Sequence, residues 1–171
     1  EEITPEGLRV ASTNYTFDSI VFATGFDAMT GAMLDIDIQV EGGASMADAW
    51  QHGPKTYLGL MVAGFPNLFT ITGPGSPGVK SQMILSIEQH VDFIAACLQH
   101  MRSRGMSQVE AEPAAEQAWV SHVKAVAEST LYPRANSWYM GANIPGKPLV
   151  FMPYVGGVDV YKKECDEIVA D

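Results

Sequence analysis

Leu68-Phe69-Thr70-Ile71-Thr72-Gly73-Pro74-Gly75-Ser76-Pro77-Gly78 carries a short apolar segment into a run of glycine and proline. The prolines fix their own φ angles and the glycines admit angles that other residues avoid, so residues 73–78 read as a tight loop. A helical pattern follows from about Ser81 to Arg104, where Ile84, Ile87, Val91, Ile94, Leu98 and Met101 recur at alternating spacings of three and four. These residues draw one apolar stripe along a helix that Gly105 stops. Strand-like segment, glycine loop and helix in that order point to an α/β chain.

Gly73-x-Gly75-x-x-Gly78 literally matches the dinucleotide fingerprint and has its strand-to-helix context. Prolines occupy two of its spacer positions, however, and a long helix stands where a strand with a terminal acidic residue is required. The Rossmann reading is therefore set aside. What remains is a helix N-terminus, whose free N–H groups and positive dipole end favour a phosphate, a carboxylate or the carbonyl edge of a flavin ring. Simple capping by Ser81 or by water is the competing reading.

Upstream, Leu8-Arg9-Val10 after Gly7 and the run Ser19-Ile20-Val21-Phe22-Ala23 read as strands, the second apolar enough to be buried on both faces. That run ends at Thr24-Gly25, where glycine permits a turn close against another backbone or a ligand. Asp35 to Val40 alternates polar and apolar, which places Ile36, Ile38 and Val40 on one face of a half-exposed strand. Ser45 with Asp48 resembles a helix cap for Met46 to Gln51. Tyr57 to Ala63 is a further short apolar segment.

Downstream, a second helix starts near Pro113 and buries Trp119, Val123 and Val126. Residues 132–157 hold four prolines and four glycines among aromatics, the composition of a functional loop or of a segment ordered by a ligand. A short helix from about Asp159 to Val169 closes the chain.

Composition removes several function classes. Ten Lys and Arg against twenty Asp and Glu give a formal charge of −10, which repels nucleic acid and anionic lipid surfaces. No apolar run reaches the roughly 20 residues of a membrane helix, and Glu1-Glu2-Ile3-Thr4-Pro5 lacks the features of a signal peptide, so cytoplasmic residence is expected. Cys97 and Cys165 stand far apart on expected helices and read as reduced structural thiols. His52, His90, His100 and His122 lack metal-ligand spacing and read as surface or partly buried polar residues. Ser76 fails the nucleophile-elbow pattern because its first glycine is missing. Trp138-Tyr139 with Gly141-Ala142-Asn143 combines flat rings, a flexible glycine and an amide, either a plug fastening a loop to the core or a ligand contact.

Three stretches taken together resemble the Baeyer-Villiger monooxygenases, in particular the branch acting on phenylacetone, steroids and cyclic ketones. They are Ile20-Val21-Phe22-Ala23-Thr24-Gly25-Phe26-Asp27, then Phe65-Pro66-Asn67-Leu68-Phe69 leading to Gly73-Pro74-Gly75-Ser76-Pro77, and Ser137-Trp138-Tyr139-x-Gly141-Ala142-Asn143-Ile144-Pro145-Gly146-Lys147-Pro148. Ser86-Ile87-Glu88-Gln89-His90-Val91, Thr130-Leu131-Tyr132-Pro133 and Tyr154-Val155-Gly156-Gly157 extend the likeness over nearly the whole chain.

The resemblance implies the C-terminal part of a two-domain FAD/NAD(P)-binding flavoprotein monooxygenase fold, with two long helices and several short strands. Residues 1–25 are then a remnant of the NADP-binding domain with its return strand, and 26–171 belong to the FAD-binding domain. It implies FAD and NADPH as cofactors, and a ketone and O2 as substrates. Thr24, Gly25 and Met83 are expected at FAD, Trp138 and Asn143 at NADP, and Gly78, Val79, Lys80 and Met83 around the ketone. Lys80 departs from the small and apolar residues that relatives place in this bulge. The glycine-rich FAD and NADP motifs, the histidine-and-tryptophan signature and the catalytic arginine of the family are not among these residues. The fragment alone is therefore expected to be inactive, with the N-terminal portion of the same enzyme as its partner and no catalytic residue of its own. Two other readings stay open: a flavin monooxygenase oxidising nitrogen or sulfur, and a non-catalytic acidic interaction module derived from such an enzyme.

Overall fold

The computed structural model describes residues 2–78 and 81–170. The chain starts with a three-stranded antiparallel sheet, β1 (Glu2–Thr4), β2 (Gly7–Val10) and β3 (Thr13–Thr16), with Leu8 paired to Ile3 on one side and to Tyr15 on the other. Two short helices follow, α1 (Gly31–Leu34) and α2 (Met46–Ala49), then the long helices α3 (Met83–Arg104) and α4 (Pro113–Glu128), and finally α5 (Val158–Ala170). The fold is mixed helix and strand.

Local chemistry explains the helix ends. The Ser45 hydroxyl accepts the Asp48 N–H while the Asp48 carboxylate accepts the Ser45 N–H, a reciprocal capping box that starts α2. Pro113 opens α4, where its missing N–H costs nothing, and Gly105 ends α3 in the left-handed conformation. The sequence expectations for α3, α4 and α5 hold to within about two residues.

The principal core joins the segment around Leu58, Leu60 and Met61 to Phe93 of α3, Trp119 and Val123 of α4, and Tyr161 and Cys165 of α5. Tyr161 is fully buried and donates its hydroxyl to the Leu58 carbonyl at 2.7 Å, and burial raises its pKa. Glu116, almost buried on α4, accepts the Ala63 N–H at 2.9 Å. Burial pushes its carboxyl upward against the opposing pull of that hydrogen bond and of Lys55. Both cysteines are free, and burial lifts the Cys165 thiol to about 11, which leaves it unreactive.

Several sequence expectations are overturned. Residues 20–23 form no strand, and Val21 (85% exposed) and Phe22 (70%) project into solvent instead of lying buried on both faces. Their apolar pattern has no neighbouring strand to pack against among the described residues. Residues 35–40 form only an isolated bridge, Gln39 to Ser45, and Ile36 is exposed while Ile38 joins a small cluster with Met46 and Trp50. Of the α3 stripe, Ile84, Ile87, Val91 and Leu98 are exposed, whereas Met101 is buried and Ile94 packs on the core on the side that also carries Ser86, His90 and Phe93. The helix packs on α5 and the core through Phe93, Ile94, Cys97 and Met101, leaving the rest of the stripe uncovered.

His90, expected at or near the surface, is fully buried. Its Nδ1 accepts the Thr72 N–H at 3.1 Å, so the ring proton resides on Nε2, which makes no hydrogen bond among the described residues. The ring stands edge-on to Tyr161 at 5.6 Å. Burial lowers its pKa from 6.5 to about 4. In the unfolded chain the imidazole takes up its proton first, so the stability that neutral His90 contributes is fully present above pH 6.5 and is lost as pH falls toward 4. Denaturant titrations are expected to show a loss on the order of 3 kcal/mol across that window. The slope should flatten in His90→Asn, whose amide oxygen retains an acceptor without a titrating ring; an unchanged slope would assign the acid sensitivity elsewhere.

Candidate functional site

The glycine-proline loop 73–78 is seated on the segment before it. Thr70 donates its hydroxyl to the Gly59 carbonyl at 2.9 Å, Ser76 donates its hydroxyl to the Gly73 carbonyl at 2.8 Å, and Trp119 donates its indole N–H to the Gly75 carbonyl at 3.1 Å. Ser76 is fully buried, so the loop belongs to the interior on one side while its exit reaches the start of α3. At that exit Gly78 accepts both the N–H and the hydroxyl of Ser81, each at 2.8 Å.

The α3 N-terminus is capped by Gln82, not by Ser81: the Gln82 side-chain oxygen accepts the N–H groups of Ile84 at 2.9 Å and Leu85 at 3.4 Å. An electron-rich partner here would therefore meet the dipole end more than free first-turn donors. Met83, the first residue of α3, holds its side chain 43% exposed. Val79 and Lys80 lie outside the described residues.

The stretch 132–157 is hydrogen bonded to neighbouring segments and partly buried. Short 3-10 turns span Tyr132–Arg134 and Trp138–Met140, and Phe151, Met152, Pro153 and Tyr154 are buried. Within it the segment Val150 to Tyr154 hydrogen bonds in two directions. On one side Val150 N–H reaches the Met140 carbonyl at 3.2 Å and Met152 N–H the Tyr139 carbonyl at 3.1 Å. On the other, Gly75 N–H reaches the Met152 carbonyl at 2.6 Å and Tyr154 N–H the Ser76 carbonyl at 2.8 Å. The tryptophan-bearing loop and the glycine-proline loop are thus bound to one backbone spine. The spine also closes, with Trp119 and Val123 of α4, an apolar cavity of about 320 Å3 that Gly75 and Met140 border.

Trp138 is 44% exposed, with its ring 3.9 Å from that of Tyr139. Neither Trp138 nor Met83 lines the apolar cavity. Asn143 donates its side-chain N–H to the Phe26 carbonyl at 2.9 Å and stands beside Gly25, so the structure brings Thr24-Gly25 next to the tryptophan loop. Gly25 is exposed and takes φ +81. The sequence reading missed Met152 and Tyr154, which carry the spine through backbone groups, and Lys147, which pairs with Asp27. Backbone pairing leaves no residue-type signal, although Lys147 and Asp27 both lie within the quoted motifs. No group of three or more His, Cys, Asp or Glu able to hold a metal occurs among the described residues, and no helix there is long and apolar enough to cross a membrane.

No family model matches the chain. Among curated proteins it is 41% identical over 168 residues to a Baeyer-Villiger monooxygenase of Pseudooceanicola batsensis, covering 98% of this chain and 30% of the relative. It is 38% identical over 170 residues to an acetone monooxygenase (methyl acetate-forming) of Gordonia sp. strain TY-5, covering 98% of this chain and 32% of the relative. Among solved structures it superposes on a complex of OTEMO with FAD and NADP at a TM-score of 0.85 and 34% identity, over 99% of this chain and 31% of that one. The chain spans about 30% of the length of the first of these relatives.

Seating of the glycine-proline loop depends on Gly59, at φ +72, where an added Cβ would lie 2.5 Å from the Ser76 nitrogen and 2.6 Å from the Ser76 Cβ. Gly59→Ala is expected to cost about 3 kcal/mol or more in denaturant unfolding, through backbone strain and overpacking together. Gly64→Ala also has a positive φ but meets nothing within 4 Å, so it should cost only about 1 kcal/mol. Equal losses in the two variants would show that the close approach to Ser76 is not what holds the loop.

Proposed function

From a chain homologous over nearly its whole length to the C-terminal part of Baeyer-Villiger monooxygenases, we propose that it works as that part of a FAD- and NADPH-dependent enzyme. The reaction is insertion of one atom of O2 beside the carbonyl of a ketone, giving an ester or lactone. The observation that carries this reading is the extent of the likeness, which covers both loops, the spine between them and the helix they face. Residues 1–25 are read as the end of the NADP-binding domain with its return segment, and 26–171 as the closing part of the FAD-binding domain.

The residues fit one wall of such a site. FAD, when bound, supplies the oxygen chemistry, and NADPH the reducing hydride. Thr24 and Gly25 would hold FAD through their backbone, and Met83 would meet it with a half-exposed apolar side chain at the positive end of the α3 dipole. Gly78 and Met83 would border the ketone, and Val79 and Lys80, outside the described residues, are assigned to the same pocket by the family resemblance alone. Trp138 presents a half-exposed ring to the nicotinamide cofactor, and Asn143, whose N–H is held by Phe26, keeps its amide oxygen for the same contact.

The preceding polypeptide of the same enzyme is the partner, and the uncovered apolar side chains of Val21, Phe22, Ile84, Leu85, Val91 and Leu98 are the surface it would cover. Free thiols at Cys97 and Cys165 go with a cytoplasmic setting.

Joined to the preceding portion, the chain should carry flavin absorbance and oxidise NADPH faster when phenylacetone is added. Trp138→Ala should raise the KM for NADPH by about tenfold or more, the loss expected for a stacking contact. A completed polypeptide with no bound flavin and no ketone stimulation would eliminate the assignment.

A further inference from the structure

Lys147 lies at the end of a ladder of turns that begins at Trp138. Gly141 N–H bonds to the Trp138 carbonyl at 2.9 Å, Ile144 N–H to the Gly141 carbonyl at 3.2 Å, and Lys147 N–H to the Ile144 carbonyl at 3.2 Å. The Lys147 stem folds back beneath Gly141, where an added Cβ would come within 3.0 Å of its Cδ. The ammonium then crosses to a different part of the chain. It pairs with Asp27 and donates to the Thr30 hydroxyl at 2.6 Å, while that hydroxyl donates to Asp27 at 3.1 Å.

Three polar groups from two segments thus close on one another. Thr30 is 1% exposed, and the Lys147 side chain retains 10% and the Asp27 side chain 31% of their surfaces. The other ion pairs among the described residues, such as Lys162 with Asp166, have both side chains more than half exposed or lie, like Arg9 with Glu2, on the outer sheet. Water screens those pairs, whereas the Lys147 pair is sheltered and has a third partner, which makes its geometry specific. Asn143 to Phe26 is a second tie between the same two segments.

We propose that Lys147 is a positioning residue for Trp138: by clasping Asp27 and Thr30 it fixes the three-turn ladder to the Thr24–Asp27 segment and so sets where the tryptophan ring is presented. The inference rests on the reading of Trp138 as a nicotinamide contact, and it adds that cofactor affinity depends on a charge pair that touches no cofactor atom. Removing the pair frees the ladder at its far end without disturbing the spine, because the spine joins the loop at Tyr139 and Met140.

Amide hydrogen exchange in this chain tests the clasp directly. Lys147→Met keeps the stem and removes the charge; the amides of Gly141, Ile144 and Lys147 should exchange about tenfold faster, with α4 amides unchanged. Lys147→Arg should restore slow exchange to within about threefold. Asp27→Asn serves as the second route, and the double variant with Lys147→Met should be no faster than either single change. Unaltered ladder exchange in both single variants overturns the proposal. In the enzyme completed by its preceding portion, Lys147→Met should raise the KM for NADPH about fivefold with kcat within about twofold. Faster exchange with an unmoved KM would overturn the positioning role and leave the clasp a structural tie only, whereas an unmoved KM in Trp138→Ala would overturn the nicotinamide reading on which the proposal rests.

Discussion

The segment Val150 to Tyr154 is the constraint on which the candidate site depends. Its backbone groups bond to Tyr139 and Met140 on one side and to Gly75 and Ser76 on the other, so two loops far apart in sequence share one spine. Buried backbone groups must find partners, and here each loop satisfies the spine while the spine satisfies it. The side chains on the spine reinforce this, since Met152, Pro153 and Tyr154 are buried, and Tyr154 packs on Trp119 and Tyr161. A shift of the glycine-proline loop would therefore be felt at the tryptophan loop through a few hydrogen bonds.

Around that spine, polar groups in the interior act as positioning devices. Trp119 ties α4 to Gly75, Tyr161 ties α5 to Leu58, and His90 ties α3 to Thr72, which adopts φ +56 just before the loop. Each long helix thus sends one side chain to the backbone in or beside the segment that seats the loop. Such bonds add modest net stability, but leaving one buried end unpaired is costly, so they select one arrangement of the loop over its neighbours.

The outer surface has the opposite character. Val21, Phe22 and Phe26 are exposed, and so are Ile84, Leu85, Ile87, Val91 and Leu98 of α3. Exposed apolar surface of this kind marks an interface, and it agrees with a chain that matches about 30% of the length of its first relative. The apolar face of α3 and the apolar run at residues 20–23 were both legible as burial signals.

Periodicity, capping chemistry and the positions of proline and glycine determined the three longer helices, the capping box at Ser45 and the tight loop at 73–78, because these depend on neighbours within a few residues. The ordered motifs likewise carried the family resemblance. Only the tertiary structure decided that residues 150–154 bond to both loops, that Gln82 caps α3, that His90 is buried, and that Lys147 meets Asp27 and Thr30. Those outcomes rest on backbone bonds and side-chain contacts between segments up to 120 positions apart, whose partners no local pattern names.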